Sequence, residues 1–214
     1  MKYLSKQVFL LGGIAFILLA AFPVFAQNGA AVHKKPLTDF TDLVIDRLQK
    51  NRLVLSDNFL IELDGELTKE GKFDRRKTRY IRAEGTEQIV DVAKSAVEAI
   101  NEDGILAYLT QLGANRLNII FAQNDEQIYA VLKTEYAAQN TAQTTKTTFD
   151  MLVKTALMQS NDEDEKTLLN ATTVSLSEKT VTIKTALEKP VGQEMIQRRL
   201  TVEINKRIEQ NKAK

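Results

Sequence analysis

The sequence predicts an α+β fold in which antiparallel hairpins pack against helices. Two periodicities predict it: apolar residues recur every three or four positions in some stretches, as on a helix, and alternate with polar residues in others, as on a strand. The order also repeats, since a long helix, a short helix and a hairpin are predicted over residues 86–136 and again over 141–188. This repetition indicates an internal duplication, with the hairpins in one sheet or in two small ones.

Residues 1–26 have the three-part build of a secretory signal peptide. Two lysines precede an unbroken apolar run from Val8 to Phe22, and a proline and small residues lead to Ala26. We therefore expect cleavage after Ala26 and export to the periplasm or out of the cell. The alternative is that residues 8–26 stay attached and anchor the protein in the inner membrane, since they approach the roughly 20 residues that a spanning helix needs.

The exported portion is predicted to begin with a flexible tether. Residues 27–36 are small and polar and lack a periodic pattern, whereas a domain is predicted over residues 37–214. The first element of the domain is expected to be an amphipathic helix, because its apolar residues are three and four positions apart. These residues are Leu37, Phe40, Val44 and Leu48.

The stretch from Phe59 to Arg82 predicts a β-hairpin. In its first half, apolar residues alternate with Glu62, Asp64 and Glu66, so that one face of the strand is apolar and the other acidic. The segment TKEG then ends in Gly71, which can adopt positive φ in a turn. We expect Phe73 to Arg82 to return antiparallel to the first strand.

The clearest helical signal in the chain opens the first repeat unit. It is a stripe of apolar residues on a helix capped near Thr86, formed by Ile89, Val92, Ala93, Ala96, Val97 and Ile100. A short helix that ends at Gly113 follows, and then a hairpin that turns at residues 123–126.

The second unit repeats this order with different residues. A helical stripe runs from Ala142 to Leu157, a short helix holds Leu168 and Leu169, and a hairpin turns at residues 177–179. A terminal helix is predicted over residues 190–210, with Pro190 at its start.

The usual residues of catalysis are missing from the predicted domain. Cysteine is absent, and the only histidine, His33, lies in the predicted tether, so the common nucleophile and base pairs have no members there. Glycine-rich phosphate loops and dinucleotide fingerprints are absent too. Lys and Arg number 29 against 28 Asp and Glu, so no overall field favours nucleic acid. We expect no enzymatic activity, no cofactor and no nucleic-acid partner.

Two acidic groups are candidate sites. The run from Asp162 to Glu165 suggests calcium, but it lacks the spacing of an EF-hand loop, and acids at a helix amino terminus are favoured by the helix dipole. Glu62, Asp64 and Glu66 suggest paired catalytic carboxylates, but alternation on a solvent-facing strand accounts for them. We therefore assign no metal ligand and no catalytic residue.

Five cations within eight positions form a candidate patch for an anion or a partner: Arg75, Arg76, Lys77, Arg79 and Arg82. Such a patch could bind lipid phosphate, cell-wall polymer or an acidic protein. The favoured alternative is that these cations face the acidic residues of the first strand, where opposite charges stabilise a hairpin by roughly 0.2–1 kcal/mol per pair. The hairpin is then self-complementary and needs no ligand.

Residues 61–100 resemble part of the TonB carboxy-terminal domain family. The matching features are the strand around Leu63 to Leu67, the segment TKEGKF with Gly71, the segment RAEG with Gly85, and the alanine-rich VAKSAVEAI. The tyrosine–proline pair that the family has before its first strand is absent, as is its tryptophan–proline segment after the helix. The resemblance implies an envelope protein that accepts a partner peptide along a sheet edge.

Together these features predict a non-enzymatic exported protein of the cell envelope that acts as a protein-interaction module. Its terminal helix could dock against an envelope protein, or an exposed hairpin edge could pair with a partner strand. One alternative is a periplasmic carrier whose apolar cavity holds a lipid or another small hydrophobic molecule. A TonB-like envelope component is the other alternative.

Overall fold

The structure is a computed structural model and describes residues 34–212. The first helices and strands in chain order are α1 (Lys34–Gln49), β1 (Phe59–Glu66), β2 (Arg79–Glu84), α2 (Glu87–Glu102), α3 (Ile105–Gln111) and β3 (Ala114–Gln123). The following ones are β4 (Gln127–Tyr136), α4 (Gln139–Gln159), α5 (Glu163–Asn170), β5 (Thr172–Ser177), β6 (Thr180–Glu188) and α6 (Lys189–Lys212). The predicted α+β class is confirmed.

All of these strands belong to one antiparallel sheet, in the order β2-β1-β3-β4-β6-β5. The hairpins β3–β4 and β5–β6 meet through β4 and β6, which pair from Gln127↔Glu188 to Glu135↔Thr180. Both helix–helix–hairpin units therefore contribute to the same sheet, and the possibility of two small sheets is ruled out for the described residues.

The helices cover one face of the sheet. Along β1, Phe59, Ile61 and Leu63 are buried while the residues between them are partly exposed. The buried side chains of this face and of the helices form one continuous core. Apolar residues on the opposite face, such as Ile120 and Tyr129, do not belong to that core. We call this opposite surface the open face.

Helix α1 begins earlier than predicted. Lys34 to Pro36, assigned to the tether, already form its first turn, where a proline is tolerated because the N–H that it lacks has no helical partner there. The predicted signal peptide and residues 27–33 lie outside the described residues. None of the helices in the described part of the chain combines the length and apolar composition needed to cross a bilayer.

Strand β2 starts at Arg79, so the prediction that it starts at Phe73 is wrong. Between the two strands the chain makes an isolated bridge, Leu67↔Phe73, and then leaves the ladder. Gly71 has φ +72°, and a Cβ there would lie 2.1 Å from Cα of Ala107 in α3. The Phe73 N–H also donates to Asn101 Oδ1 at 2.7 Å. Contacts with α2 and α3 thus hold this segment away from the sheet.

Helix α2 buries the whole predicted stripe of six residues. Thr86 stands at the N-cap position, as predicted, but its hydroxyl does not cap the helix and donates to Asp57 Oδ2 at 3.1 Å. Gly113 has φ +90° and follows α3, as the sequence indicates.

The later helices bury less than their patterns predict. In α4, Ala142, Phe149 and Ala156 are buried, whereas the predicted core residues Val153 and Leu157 are only half-buried. In α6, the apolar residues Met195, Ile196 and Leu200 are buried, but Ile208 is 46% exposed. These helices contact the core along only part of their length.

Candidate functional site

The predicted cationic patch lies on the connection between β1 and β2 and on β2 itself. Lys77 Nζ lies 2.5 Å from Glu66 Oε2, and Arg82 Nε lies 2.9 Å from Glu84 Oε1. Hydrogen bonding to Glu66 and its charge raise the pKa of Lys77. The other three cations, Arg75, Arg76 and Arg79, are exposed and make no salt bridge within the described part of the chain. Part of the patch is therefore already neutralised.

The acidic face of β1 is matched from both sides. Across β2, Glu62 faces Arg82 and Asp64 faces Arg79 in the register, which is the complementarity that the sequence predicts. The closest hydrogen bonds come instead from β3. Arg116 is bidentate on Asp64, with Nη2 at 2.5 Å from Oδ2, and Asn118 Nδ2 lies 3.0 Å from Glu62 Oε1. These contacts join the carboxylates of β1 to side chains of β3.

The acidic run at the start of α5 is bound by the terminal helix. Asp162 caps α5 by accepting the N–H groups of Asp164 and Glu165. Arg199 binds both Asp162 and Asp164, and Arg198 Nη2 lies 2.5 Å from Asp164 Oδ1. Burial alone would raise the pKa of Asp164, but the two arginines together hold it below its ordinary value. The run therefore joins α5 to α6.

Metal coordination has no structural candidate in residues 34–212. Within that range no three acidic or histidine side chains converge closely enough to hold an ion. The carboxylates of the α5 run are directed to Arg198 and Arg199, as described above.

Asp103 is a buried carboxyl that the sequence did not single out. It is 0% exposed and lies between α2 and α3. Its Oδ1 accepts the Ile105 N–H at 2.7 Å, whereas Oδ2 has no hydrogen-bond partner among the described residues. Burial raises the pKa of Asp103 to about 8, and the bond from Ile105 opposes that rise only partly. It does not line either of the two cavities described next.

A small cavity lies in the core and a larger groove lies at the surface. An apolar cavity between α1, α2, the sheet and α6 has a volume of about 20 Å³, which is room for about one water molecule. Its polar lining residue, Gln123, already donates to the carbonyl oxygens of Leu55 and Asp57 at 3.0 and 2.9 Å. An open groove of about 410 Å³ beside Arg52 and Gln88 is partly polar. Neither space resembles the enclosed apolar pocket of a lipid carrier.

Two tyrosines of the sheet lie outside the continuous core. Tyr80 on β2 is 36% exposed and Tyr129 lies on the open face. Each is approached by a lysine, Lys94 at 5.2 Å from the ring centre of Tyr80 and Lys184 at 6.0 Å from that of Tyr129. Their amphipathic rings suit such half-exposed positions beside a cation.

Strand β5 forms an edge of the sheet with unpaired backbone groups. Within residues 34–212 it pairs with β6 alone, through a two-residue turn in which Glu178 has φ +52°. In such a hairpin the residues flanking the turn exchange both hydrogen bonds, and the pattern then alternates along the strand. Accordingly, the N–H and C=O groups of Val174 and Leu176 point away from β6. Their side chains pack against the core and hold the strand in place.

The two edges of the sheet differ in how they discourage further pairing. Strand β2 carries Arg79, Arg82 and Glu84, and its register with β1 shifts between Glu62 and Leu63. Charges and irregular register are the devices that prevent edge strands from pairing with other chains. Strand β5, with the sequence TTVSLS, carries no charge. The edge of β5 is therefore the candidate functional site.

Sequence reasoning did not identify β5 as the open edge, because strand order is set by distant pairing. The one local sign of an open edge is that TTVSLS contains no charged residue. A strand in the centre of a sheet also lacks charged residues, so this sign does not distinguish the two positions. No local signal marked Asp103, since NEDG is typical of any helix-breaking loop.

Comparison with known proteins adds no relative. The chain matches no family model, no curated protein and no solved structure. The resemblance of residues 61–100 to the TonB carboxy-terminal domain therefore stays a prediction, and the candidate site is supported by its geometry.

Proposed function

We propose that the protein is a non-enzymatic interaction module of the cell envelope, which binds an extended segment of a partner protein along β5. The observation that carries this proposal is the uncharged edge of β5, whose side chains are packed against the core while alternate backbone groups point outward. A partner strand can satisfy those groups by extending the sheet.

The edge is preorganised for this mode of binding. Val174 and Leu176 pack against the core, and Thr172 Oγ1 lies 2.7 Å from Thr185 Oγ1 on β6. Only the partner segment must then lose conformational freedom on binding, which reduces the free-energy cost of association.

Two features of the sequence support an envelope location. Residues 1–26 have the composition of an export signal. The resemblance of residues 61–100 to the TonB family implies an envelope protein that receives a peptide at a sheet edge. The resemblance covers β1, β2 and most of α2, so it supports the location and the mode of binding, while the choice of β5 rests on its uncharged edge.

The test places lysines on the edge and compares them with lysines elsewhere. Ser175→Lys with Ser177→Lys puts two charges on β5, where they should block strand addition. Thr144→Lys with Thr147→Lys puts the same two charges on the exposed side of α4 and is the matched control. Tagged full-length chains would be affinity-purified from envelope extracts of the native host after mild cross-linking.

We expect one defined set of partner proteins with the wild type and with the α4 control, and loss of that set with the β5 variant. Recovery of nothing above background with the wild type would contradict an interaction module. Equal recovery with both variants would show that a partner binds somewhere other than the edge of β5.

A further inference from the structure

The open face carries an apolar island that the core does not use. In the sheet register, Leu60, Ala122, Tyr129 and Ala186 lie side by side across β1, β3, β4 and β6. In the next row, Ile120 lies beside Val131. None of the island residues belongs to the continuous core, although Ala122 and Val131 are buried by their neighbours in the sheet.

Charged residues flank the island in a definite order. In the row of Ile120 and Val131, Glu62 of β1 stands on one side and Lys184 of β6 on the other. Two rows further along, Arg116 of β3 lies directly beside Glu135 of β4. The negative and positive members of each pair thus lie on opposite sides of the line between β3 and β4.

This arrangement is complementary to itself. Consider a second copy placed face to face, related by a two-fold axis that runs along the strands between β3 and β4. The axis brings β1 over β6 and β3 over β4 of the other copy. Glu62 then faces Lys184 twice, Arg116 faces Glu135 twice, and the apolar islands stack on each other. Packing of two sheets face to face, with side chains about 10 Å deep between them, is a common architecture.

We propose that the protein forms a symmetric homodimer through the open face of its sheet, with reciprocal Glu62–Lys184 ion pairs beside the stacked islands. The face is distinct from the edge of β5, so the dimer is an assembly separate from the partner complex proposed above. A two-fold symmetric contact requires a patch that is complementary to itself, and the open face meets this requirement. A second copy of the chain is therefore the occupant that we infer.

Charge reversal tests the pairing directly. Glu62→Lys or Lys184→Glu alone would place like charges against each other twice in the dimer, because the symmetry repeats each contact. The double variant, Glu62→Lys with Lys184→Glu, restores opposite charges across the interface. Within one chain the two residues are three strands apart, roughly 14 Å, so the exchange cannot form an ion pair between them there.

The molar mass of the protein in solution is measured by size-exclusion chromatography with light scattering, over a wide range of concentration. The protein is the full chain as purified from cells, with or without its first 26 residues. We expect a dimer for the wild type, a monomer for each single variant, and a dimer again for the double variant. Circular dichroism would check that each single variant is folded. Glu163→Lys is a charge reversal far from the island and should leave the dimer intact.

Three results would overturn the proposal. A monomeric wild type at every concentration excludes the dimer, and a mass explained by a different co-purified polypeptide assigns the surface to another occupant. Folded single variants that remain dimeric, or a double variant that stays monomeric, exclude the proposed pairing of Glu62 with Lys184.

Discussion

Asp103 is the residue at which this fold departs most from ordinary burial rules. For a carboxyl group with no exposed surface and one hydrogen-bonded oxygen, burial favours the protonated form over the carboxylate. Its raised pKa, about 8, means that folding takes up a proton at neutral pH. The stability of the domain is therefore linked to pH through this group.

Wild-type protein should lose stability through Asp103 as the pH rises from about 4 to about 8. In this window the folded state holds the proton and the unfolded state, with a pKa near 3.8, does not. The stabilisation is complete below the lower pKa and is lost as the pH approaches the higher one, with a slope of at most about 1.4 kcal/mol per pH unit. Urea unfolding at a series of pH values measures this slope.

The variant Asp103→Asn isolates the contribution. An amide keeps the oxygen that accepts the Ile105 N–H and carries no charge at any of these pH values. We expect a flatter pH profile and higher stability than the wild type at pH 8. Asp125→Asn, on the exposed β3–β4 turn, is the matched control and should keep the wild-type slope. A wild-type slope in Asp103→Asn would contradict the buried proton.

Helix α6 is attached to the rest of the domain by ion pairs as well as by apolar contacts. We call the two ion pairs of Arg199, with Asp162 and with Asp164, the fork. Arg199 reaches both the cap of α5 and Asp164, which is only 12% exposed. Arg207 Nη2 lies 2.5 Å from Asp42 Oδ1 on α1. Helix α6 thus connects the second repeat unit to the first helix of the domain.

Arg199→Ala should destabilise the protein by about 1–3 kcal/mol. The change leaves partly buried carboxylates with fewer hydrogen bonds, which costs more than the loss of a surface pair. Arg199→Lys should fall between, because lysine keeps the charge but not the planar fork. Chemical denaturation measures the difference. Lys166→Ala, which removes the i,i+3 pair with exposed Glu163, is the control and should cost less than about 0.5 kcal/mol. An equal loss in both variants would refute the special role of the fork.

Local pattern was sufficient to predict most elements. The stripe of α2, the turn after Gln123 and the turn at Glu178 depend on neighbours in sequence, so periodicity and turn chemistry locate them. The error at β2 has a non-local cause, because Gly71 contacts Ala107 and Phe73 is held by Asn101. No pattern within a hairpin reports contacts of this kind.

On the scale of the whole molecule, the repeat units are not independent bodies. β4 and β6 pair along most of their length, and residues from both units contribute to one continuous core. The strand order could not be predicted from the sequence, because β1 pairs with β3 across distant positions such as Leu63↔Ile119. The edge of β5 and the island on the open face depend on that order, so neither was predictable.

A single core predicts a single unfolding transition. Far-ultraviolet circular dichroism and tyrosine fluorescence should give superimposable denaturation curves, because the helices and the four tyrosines of the described residues, Tyr80, Tyr108, Tyr129 and Tyr136, belong to one cooperative unit. The chain has five tyrosines and no tryptophan, so the tyrosine signal can be observed directly. Two separate transitions would show that the repeat units unfold one after the other, in contradiction to the shared core.

The position of α6 has a consequence for how the chain is made. Ile196 of α6 meets Phe40 and Val44 of α1 around the small cavity, so the core stays incomplete until α6 has left the ribosome. The contact between α1 and α6 can form only after every other element has been synthesised, because α6 is the last element in the chain. Completion of this core is therefore expected after translation and not during it.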